Sequence, residues 1–117
     1  GIAFQVCDVV NAMESDSATP LTELRVDGGA SRNDLLMQMQ SDLIGVPVVR
    51  PAQVETTALG AAYLAGLAAG VWPSLDAIRT SWQEERRFEP RISIDERTAR
   101  YHQWQRAVER AKDWAEP

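Results

Sequence analysis

The sequence predicts an α/β fold in which a few parallel strands are flanked by helices. Short apolar runs of strand length alternate with longer stretches whose apolar residues recur every three or four positions, in the order α-β-α-β-α-α-(β)-α. Helices placed between strands favour parallel strand pairs joined by right-handed crossovers. The length of 117 residues, with 44% hydrophobic and 25% charged residues, is typical of one soluble domain with a single core.

Charge and cysteine content exclude several classes of protein. The chain carries 17 acidic and 12 basic residues, a net charge of −5, so it lacks the basic surface that nucleic-acid binding requires. The longest apolar stretch, residues 58–71, is too short to cross a bilayer. Cys7 is the single cysteine, and we predict a buried, unreactive thiol in a cytoplasmic protein.

The first predicted helix has no start signal. The opening residues GIAFQVCDVVNAM follow a helical period, but no Ser, Thr or Asp precedes them to cap the helix. Two or three strands are also few for a sheet that is covered on both faces, so we expect the chain to be part of a longer protein. The apolar face expected for this helix comprises Ile2, Val6, Val9, Val10 and Met13.

The first strand is predicted within residues 21–27, and it stops at Gly28 and Gly29. The pair Ser31 and Asp34 forms an S-x-x-D pattern, which predicts the cap of the second helix. The apolar stripe expected along that helix comprises Leu35, Leu36, Met39, Leu43 and Ile44.

Gly45 is expected to end the second helix, and the run VPVVRP predicts a second strand. Thr56 or Thr57 is predicted to cap a third helix of mostly small residues. Glycines cost helix propensity, so Gly60 and Gly66 indicate close packing of this helix against the sheet or another helix.

The C-terminal third is predicted to be mainly helical. The Pro73–Ser74 pair starts a short helix over residues 75–78, and ERRFEP predicts an extended connector or an edge strand. Ser93 and Glu96 form a capping box that opens the last helix. The face expected to pack along that helix carries Tyr101, Trp104, Val108, Ala111 and, near the end, Trp114.

The stretch LRVDGGASRN is the strongest candidate for a binding site. A helix N-terminus that follows a glycine turn presents unpaired amides to an anion, and glycines let a ligand approach the backbone. Asn33 offers both donors and acceptors to a ligand, and Asp27 either orients the turn or faces the ligand. The alternative is a tight strand-to-helix corner with a capping Ser, and the residues alone leave both open.

Other chemistry-bearing residues favour structural interpretations. His102 is the only histidine, and no nucleophile is marked out beside it, so a core-flanking or exposed role is favoured over catalysis. The four tryptophans are expected to be packing anchors, and residues 84–87 a solvated surface with local ion pairs. The sequence shows no metal-ligand spacing and no carboxylate dyad.

Three segments together resemble one known family. LRVDGGASRNDLLMQMQSDLIGVPVVRP, ETTALGAAYLAGLAAGVW and YHQWQRAVERAKDW resemble the C-terminal end of the FGGY carbohydrate kinases, above all their glycerol-phosphorylating members. The resemblance covers essentially residues 1–117. It implies a partial ribonuclease H-like subdomain of the actin/Hsp70-type ATPase fold, namely the C-terminal portion of the kinase's nucleotide-binding domain.

The resemblance also implies a reaction and indicates which of its functional residues lie in this chain. The reaction is transfer of the γ-phosphate of ATP, bound with Mg²⁺, to glycerol, giving glycerol 3-phosphate. By matching position, Gly29 and Asn33 line the adenine and ribose side of the nucleotide, and Gly28 shapes the turn. The phosphate loop, the catalytic Asp, the glycerol-binding residues and most metal ligands match nothing here. We therefore expect no catalytic residue in this chain and no kinase activity from it alone.

Two alternatives remain at this stage. One is the same region of another FGGY kinase, such as one that phosphorylates a pentulose, although VDGG and MQSD favour the glycerol-phosphorylating members. The other is a protein-interaction module that binds a partner through the last helix. In either case we expect homo-oligomers, because apolar faces and strand edges left uncovered in this chain favour self-association.

Overall fold

The structure, a computed structural model, describes residues 1–112. The predicted order of elements is confirmed, including the edge strand. The elements are α1 Ile2–Ser17, β1 Leu24–Arg25, a 3₁₀ turn Gly29–Arg32, α2 Asp34–Ile44, β2 Val48–Pro51, α3 Thr56–Ala68, α4 Leu75–Thr80, β3 Glu84–Phe88 and α5 Ile94–Ala111.

The three strands form one sheet in the order β1-β2-β3. β1 and β2 are parallel, as predicted, with Leu24 opposite Val48. β3 joins the other side of β2 antiparallel. It does so because the chain leaves β2, forms α3 and α4, and returns to the same end of the sheet, where the Ala52 N–H donates to the Gln83 carbonyl at 2.9 Å.

The core lies around β2, the central strand. Val48 and Val49 are fully buried, and Met37 of α2 and Phe88 of β3 pack with Val48. α1 packs on α2, and the Cys7 thiol is buried there, as predicted. Burial also raises the pKa of that thiol, which keeps it protonated and unreactive.

The predicted apolar face of α1 is largely wrong. Of the five residues expected inside, only Val10 is buried, while Ile2, Val9 and Met13 are more than half exposed. The face that contacts α2 carries the small residues Ala3 and Cys7 instead. Small side chains let two helices approach closely, so they occupy the contact, and the larger residues flank it.

The predicted stripe of α2 is correct at Leu43, with Leu36 and Ile44 half-buried, and wrong at Leu35 and Met39, which are exposed. Two polar residues of α2 are buried instead, because each forms a hydrogen bond to a backbone carbonyl of another element. The buried polar donors of α2 are Gln40, whose Nε2 donates to the Ala3 carbonyl at 3.2 Å, and Ser41, whose Oγ donates to the Phe88 carbonyl at 2.8 Å.

Close packing accounts for only one of the two glycines in α3. Gly66 is buried, and a Cβ there would lie 2.6 Å from the indole of Trp72. The close packing predicted for Gly66 therefore exists, but against the following turn and not against a sheet or helix. A Cβ on Gly60 would meet no atom within 4 Å, so the prediction for that residue is wrong.

Ser93 caps α5 as predicted, since its hydroxyl accepts the Glu96 N–H at 3.2 Å. The capping box is only half formed, because the Glu96 carboxylate pairs with Arg100 and not with the Ser93 N–H. The helix is fixed to α1 by one carboxylate. Asp8 accepts hydrogen bonds from the Tyr101 hydroxyl at 2.6 Å and from Trp104 Nε1 at 2.8 Å.

Two of the tryptophans pack as anchors. Trp104 stacks on Phe4 with ring centroids 5.4 Å apart, and Trp72 meets Tyr63 edge-on at 5.7 Å. His102 is exposed, which is one of the two positions expected for it. Two residues of the predicted α5 face differ or fall outside: Ala111 is exposed, and Trp114 lies outside the described residues.

Replacing Gly45 with Ala should destabilise the fold. Gly45 ends α2 with a φ of 76°, and a Cβ there would overlap the Arg97 guanidinium. The left-handed conformation alone costs about 1–2 kcal/mol for a residue with a side chain. The matched control is Gly60→Ala, which should stabilise α3 by about 0.5–1 kcal/mol, since Ala has the higher helix propensity.

Urea unfolding of both variants measures these changes. Equal free energies of unfolding for Gly45→Ala and the parent chain would contradict the role assigned to Gly45.

Candidate functional site

The chain turns sharply between β1 and α2, and we call residues 27–33 the glycine turn. The last ladder bond of β1 runs from the Val26 N–H to the Val49 carbonyl at 3.0 Å. Gly28 then adopts φ 74° and ψ 174°, a conformation that is essentially restricted to glycine. Its N–H donates to the Val54 carbonyl at 2.8 Å, so the turn is tied to the segment between β2 and α3.

The glycine turn presents bare backbone to open space. A Cβ on Gly28 or on Gly29 would meet no atom within 4 Å, and Gly29 is exposed. Gly29 also starts the 3₁₀ turn that carries the chain into α2. Conformation thus explains Gly28, whereas nothing within the described residues requires Gly29 to lack a side chain.

Asn33, and not Ser31, caps α2, so the S-x-x-D prediction is wrong. Asn33 Oδ1 accepts the Leu36 N–H at 3.1 Å. Ser31 is buried inside the turn, where its hydroxyl donates to the Gly28 carbonyl at 2.7 Å. The 3₁₀ turn inserted before α2 shifts the helix start by two residues, which explains the error. Asn33 is exposed and directly follows the 3₁₀ turn that Gly29 begins.

Asp27 connects the glycine turn to α3. The hydroxyl of Thr56, the first residue of α3, donates to the Asp27 carboxylate. The predicted cap at Thr56 or Thr57 is therefore wrong: Glu55 precedes the helix and provides no side-chain cap. Thr56 joins the start of α3 to the end of β1 instead.

Sequence reasoning missed Arg50, a buried residue that donates a hydrogen bond to the glycine turn. Arg50 is only 7% exposed at the end of β2. Its Nη1 donates to the Ser31 carbonyl at 2.7 Å and to Asp34 Oδ1 at 2.8 Å, and its Nε donates to Glu85 Oε2 at 2.5 Å. A charged residue inside an otherwise apolar strand, VPVVRP, was the only available signal.

The charged residues of β3 are exposed, as expected, but their ion pairs are mainly not local. Glu85 pairs with Arg50, and Arg86 pairs with Asp34. The hydrogen bond from Arg50 holds the pKa of the Glu85 carboxyl below its usual value. β3 is therefore tied by charge to both β2 and the first turn of α2.

A sizeable cleft lies away from the glycine turn. It has a volume of about 720 Å³ and opens between α3, α4 and the strand ends. Arg25, Tyr63 and Trp82 are among its lining residues, and the Arg25 guanidinium lies 4.5 Å from the centre of the Trp82 ring. Gly28, Gly29 and Asn33 do not line this cleft.

Comparison with known proteins assigns the chain to a family. The profile of the C-terminal domain of the FGGY family of carbohydrate kinases matches residues 1–69, from α1 through α3. The chain belongs to the FGGY family of carbohydrate kinases. The matched part of this FGGY chain includes the whole glycine turn and Arg50.

Individual relatives agree with this assignment. A glycerol kinase of Aromatoleum aromaticum is 60% identical over 113 residues, which are 97% of this chain and 23% of the relative. The crystal structure of Plasmodium falciparum glycerol kinase with ADP matches with a TM-score of 0.84 and 35% identity, over 98% of this chain and 23% of that one. The FGGY chain thus spans about a quarter of the length of these relatives.

A more distant structure supports the fold alone. A ligand-bound xylulose kinase from Lactobacillus acidophilus matches with a TM-score of 0.73 at 21% identity, over 96% of this chain and 23% of that one. The predicted α/β class, as part of an actin-like ATPase fold, is confirmed. Across residues 1–112, no helix is long and apolar enough to cross a membrane.

The ion pair between Arg50 and Glu85 should make stability depend on pH in the acid range. The pKa of Glu85 is lower in the folded chain, so its stabilising effect is complete above the unfolded value of about 4.3. This contribution is lost as the pH falls through the folded pKa. Glu85→Gln should therefore flatten the decline in unfolding free energy between about pH 5 and pH 3.

Glu55→Gln is the control, because Glu55 is exposed and forms no ion pair among the described residues. Urea unfolding at a series of pH values measures the decline. Parallel curves for Glu85→Gln and the parent chain would show that the pair does not contribute.

Proposed function

We propose that residues 1–117 are the C-terminal portion of the nucleotide-binding domain of a longer FGGY kinase, which transfers the γ-phosphate of ATP to glycerol and forms glycerol 3-phosphate. The observation that carries this proposal is the 60% identity to a glycerol kinase across 97% of the chain. Other glycerol kinases are 58–60% identical over the same region. The alternative of a pentulose kinase is less well supported, since the solved xylulose-type kinases that match are 17–31% identical, against 58–60% for the glycerol kinases.

The glycine turn is the part of the chain that we assign to the nucleotide. Gly29 and Asn33 line the adenine and ribose side, and Gly28 gives the turn its shape. Two observations support this assignment: the backbone at Gly29 faces open space, and the chain is similar over 98% of its length to a kinase solved with ADP. The side-chain amide of Asn33 has donors to spare for a ligand, because the helix cap uses only its oxygen.

The chain contributes positioning to the reaction, and the reacting groups belong to the rest of the kinase. Phosphoryl transfer depends on holding donor and acceptor in line while charge on the phosphates is neutralised. Residues 1–112 contain no group of three or more His, Cys, Asp or Glu that could hold a metal ion. We assign most of the Mg²⁺ ligands, the catalytic Asp and the glycerol-binding residues to the remainder, and we expect this chain alone to be inactive.

Exposed apolar residues indicate which helices contact partners. Large apolar side chains are exposed on α1 and α3, which supports packing of these helices against the rest of the kinase and self-association of the isolated chain. The exposed residues concerned are Ile2, Val9, Met13 and Leu64. We also propose a cytoplasmic location, which the free, buried Cys7 fits.

The glycine turn can be tested in the full-length kinase with Gly29→Val and Asn33→Asp. The Val side chain enters the space assigned to the nucleotide, so the KM for ATP should rise at least tenfold, on the order of 1.4 kcal/mol, with the KM for glycerol unchanged. Asn33→Asp keeps the cap oxygen but removes the amide donors. It should also raise the KM for ATP without loss of stability.

Two controls separate binding from folding. Asn33→Ala should lose about 1 kcal/mol of stability, because the cap of α2 is gone. Ala99→Val adds bulk at an exposed position of α5 and should change neither KM. A parental KM for ATP in Gly29→Val would refute the assignment of the turn to the nucleotide.

A further inference from the structure

We propose that Arg50 is a positioning residue, which holds the glycine turn in its binding shape and thereby sets the affinity for the nucleotide. The inference rests on the proposed function, in which the turn contacts ATP. Arg50 itself lies beneath the turn and is 7% exposed, so it acts through its neighbours and not by touching a ligand.

A short chain of hydrogen bonds connects Arg50 to the glycines. Arg50 Nη1 donates to the Ser31 carbonyl at 2.7 Å. Ser31 is 1% exposed, and its hydroxyl and its backbone N–H both donate to the Gly28 carbonyl, at 2.7 and 3.1 Å. The guanidinium therefore fixes the 3₁₀ turn, and the 3₁₀ turn fixes Gly28, whose conformation decides where Gly29 lies.

The same guanidinium sets the start of α2. Its Nη1 also donates to Asp34 in the first turn of that helix, and Asp34 accepts a second hydrogen bond from Arg86 of β3. Asn33 is the residue just before Asp34, so the position of its side chain depends on this anchor. Both residues assigned to the nucleotide, Gly29 and Asn33, are thus placed by one buried cation.

β3 holds Arg50 in the orientation that this role needs. Glu85 accepts from Arg50 Nε at 2.5 Å and from Nη2 at 3.3 Å. The Phe88 ring lies 5.4 Å from the Arg50 guanidinium carbon. A planar guanidinium can donate in three directions at once, whereas a lysine ammonium is a point charge on a flexible stem. Lysine at this position therefore keeps the charge but not the geometry.

A positioning role and a purely structural role predict different kinetics. A structural defect lowers the amount of folded enzyme. It therefore lowers the apparent kcat and changes neither the KM for ATP nor the KM for glycerol. Displacement of the turn weakens ATP binding, raises the KM for ATP and leaves the KM for glycerol unchanged, because glycerol is bound elsewhere in the kinase.

The experiment compares Arg50→Lys, Arg50→Met and Glu85→Gln in the full-length kinase. Arg50→Lys should raise the KM for ATP about fivefold or more, and Arg50→Met should raise it further. Glu85→Gln weakens the support of Arg50 but leaves its hydrogen bond to Ser31, so a smaller rise of about twofold is expected. The matched control is Arg87→Met, which removes an arginine of β3 that pairs with Glu23 and not with the turn.

The outcomes separate this inference from the proposed function. A parental KM for ATP in folded Arg50→Lys, together with a raised KM in Gly29→Val, would overturn the role of Arg50 alone. Parental values in both variants would overturn the nucleotide turn itself. Glu85 is half exposed, so Glu85→Gln is expected to fold even if the Arg50 variants do not. In that event, an unchanged KM for ATP in Glu85→Gln would overturn the inference.

Discussion

A buried guanidinium must have its charge paired and its N–H groups bonded, and this requirement organises the structure. Removing such a charge from water costs several kcal/mol unless partners replace the solvent. Arg50 meets the requirement by drawing on three separate elements: the turn after β1, the first turn of α2, and β3. The first two elements adjoin in sequence, whereas β3 is distant from both, so the arginine fixes how β3 and the start of α2 come together on β2.

Local sequence patterns predicted the elements well, because local interactions form them. The helix start at Ser74, the cap at Ser93 and the end of α2 at Gly45 depend on residues within one helical turn of each other, and these three are confirmed. The caps predicted at Ser31 and at Thr56 or Thr57 are wrong. Burial was predicted less well. Apolar periodicity could not identify Gln40 and Ser41 as core residues, because the carbonyl groups that satisfy them belong to distant segments.

The candidate site likewise has features that local sequence predicted and features that depend on distant contacts. The conformation of Gly28 follows from a strand that must turn at once into a helix, and the sequence indicated that turn. The support beneath it did not follow, because the Arg50–Glu85 pair spans 35 positions in the chain. The functions assigned to Gly29 and Asn33 came from family resemblance. The structure adds that Asn33 caps α2, so the residue that we assign to the nucleotide also stabilises the helix start.

The two edges of the sheet differ, because β3 forms one edge and β1 forms the other. β3 presents the consecutive charges Glu84, Glu85, Arg86 and Arg87, all exposed, and such a ladder discourages another strand from pairing alongside. On the other side, β1 pairs with β2 alone among the described residues. We therefore expect further strands to be added beside β1, with β3 as the terminal strand of any longer sheet that includes this one.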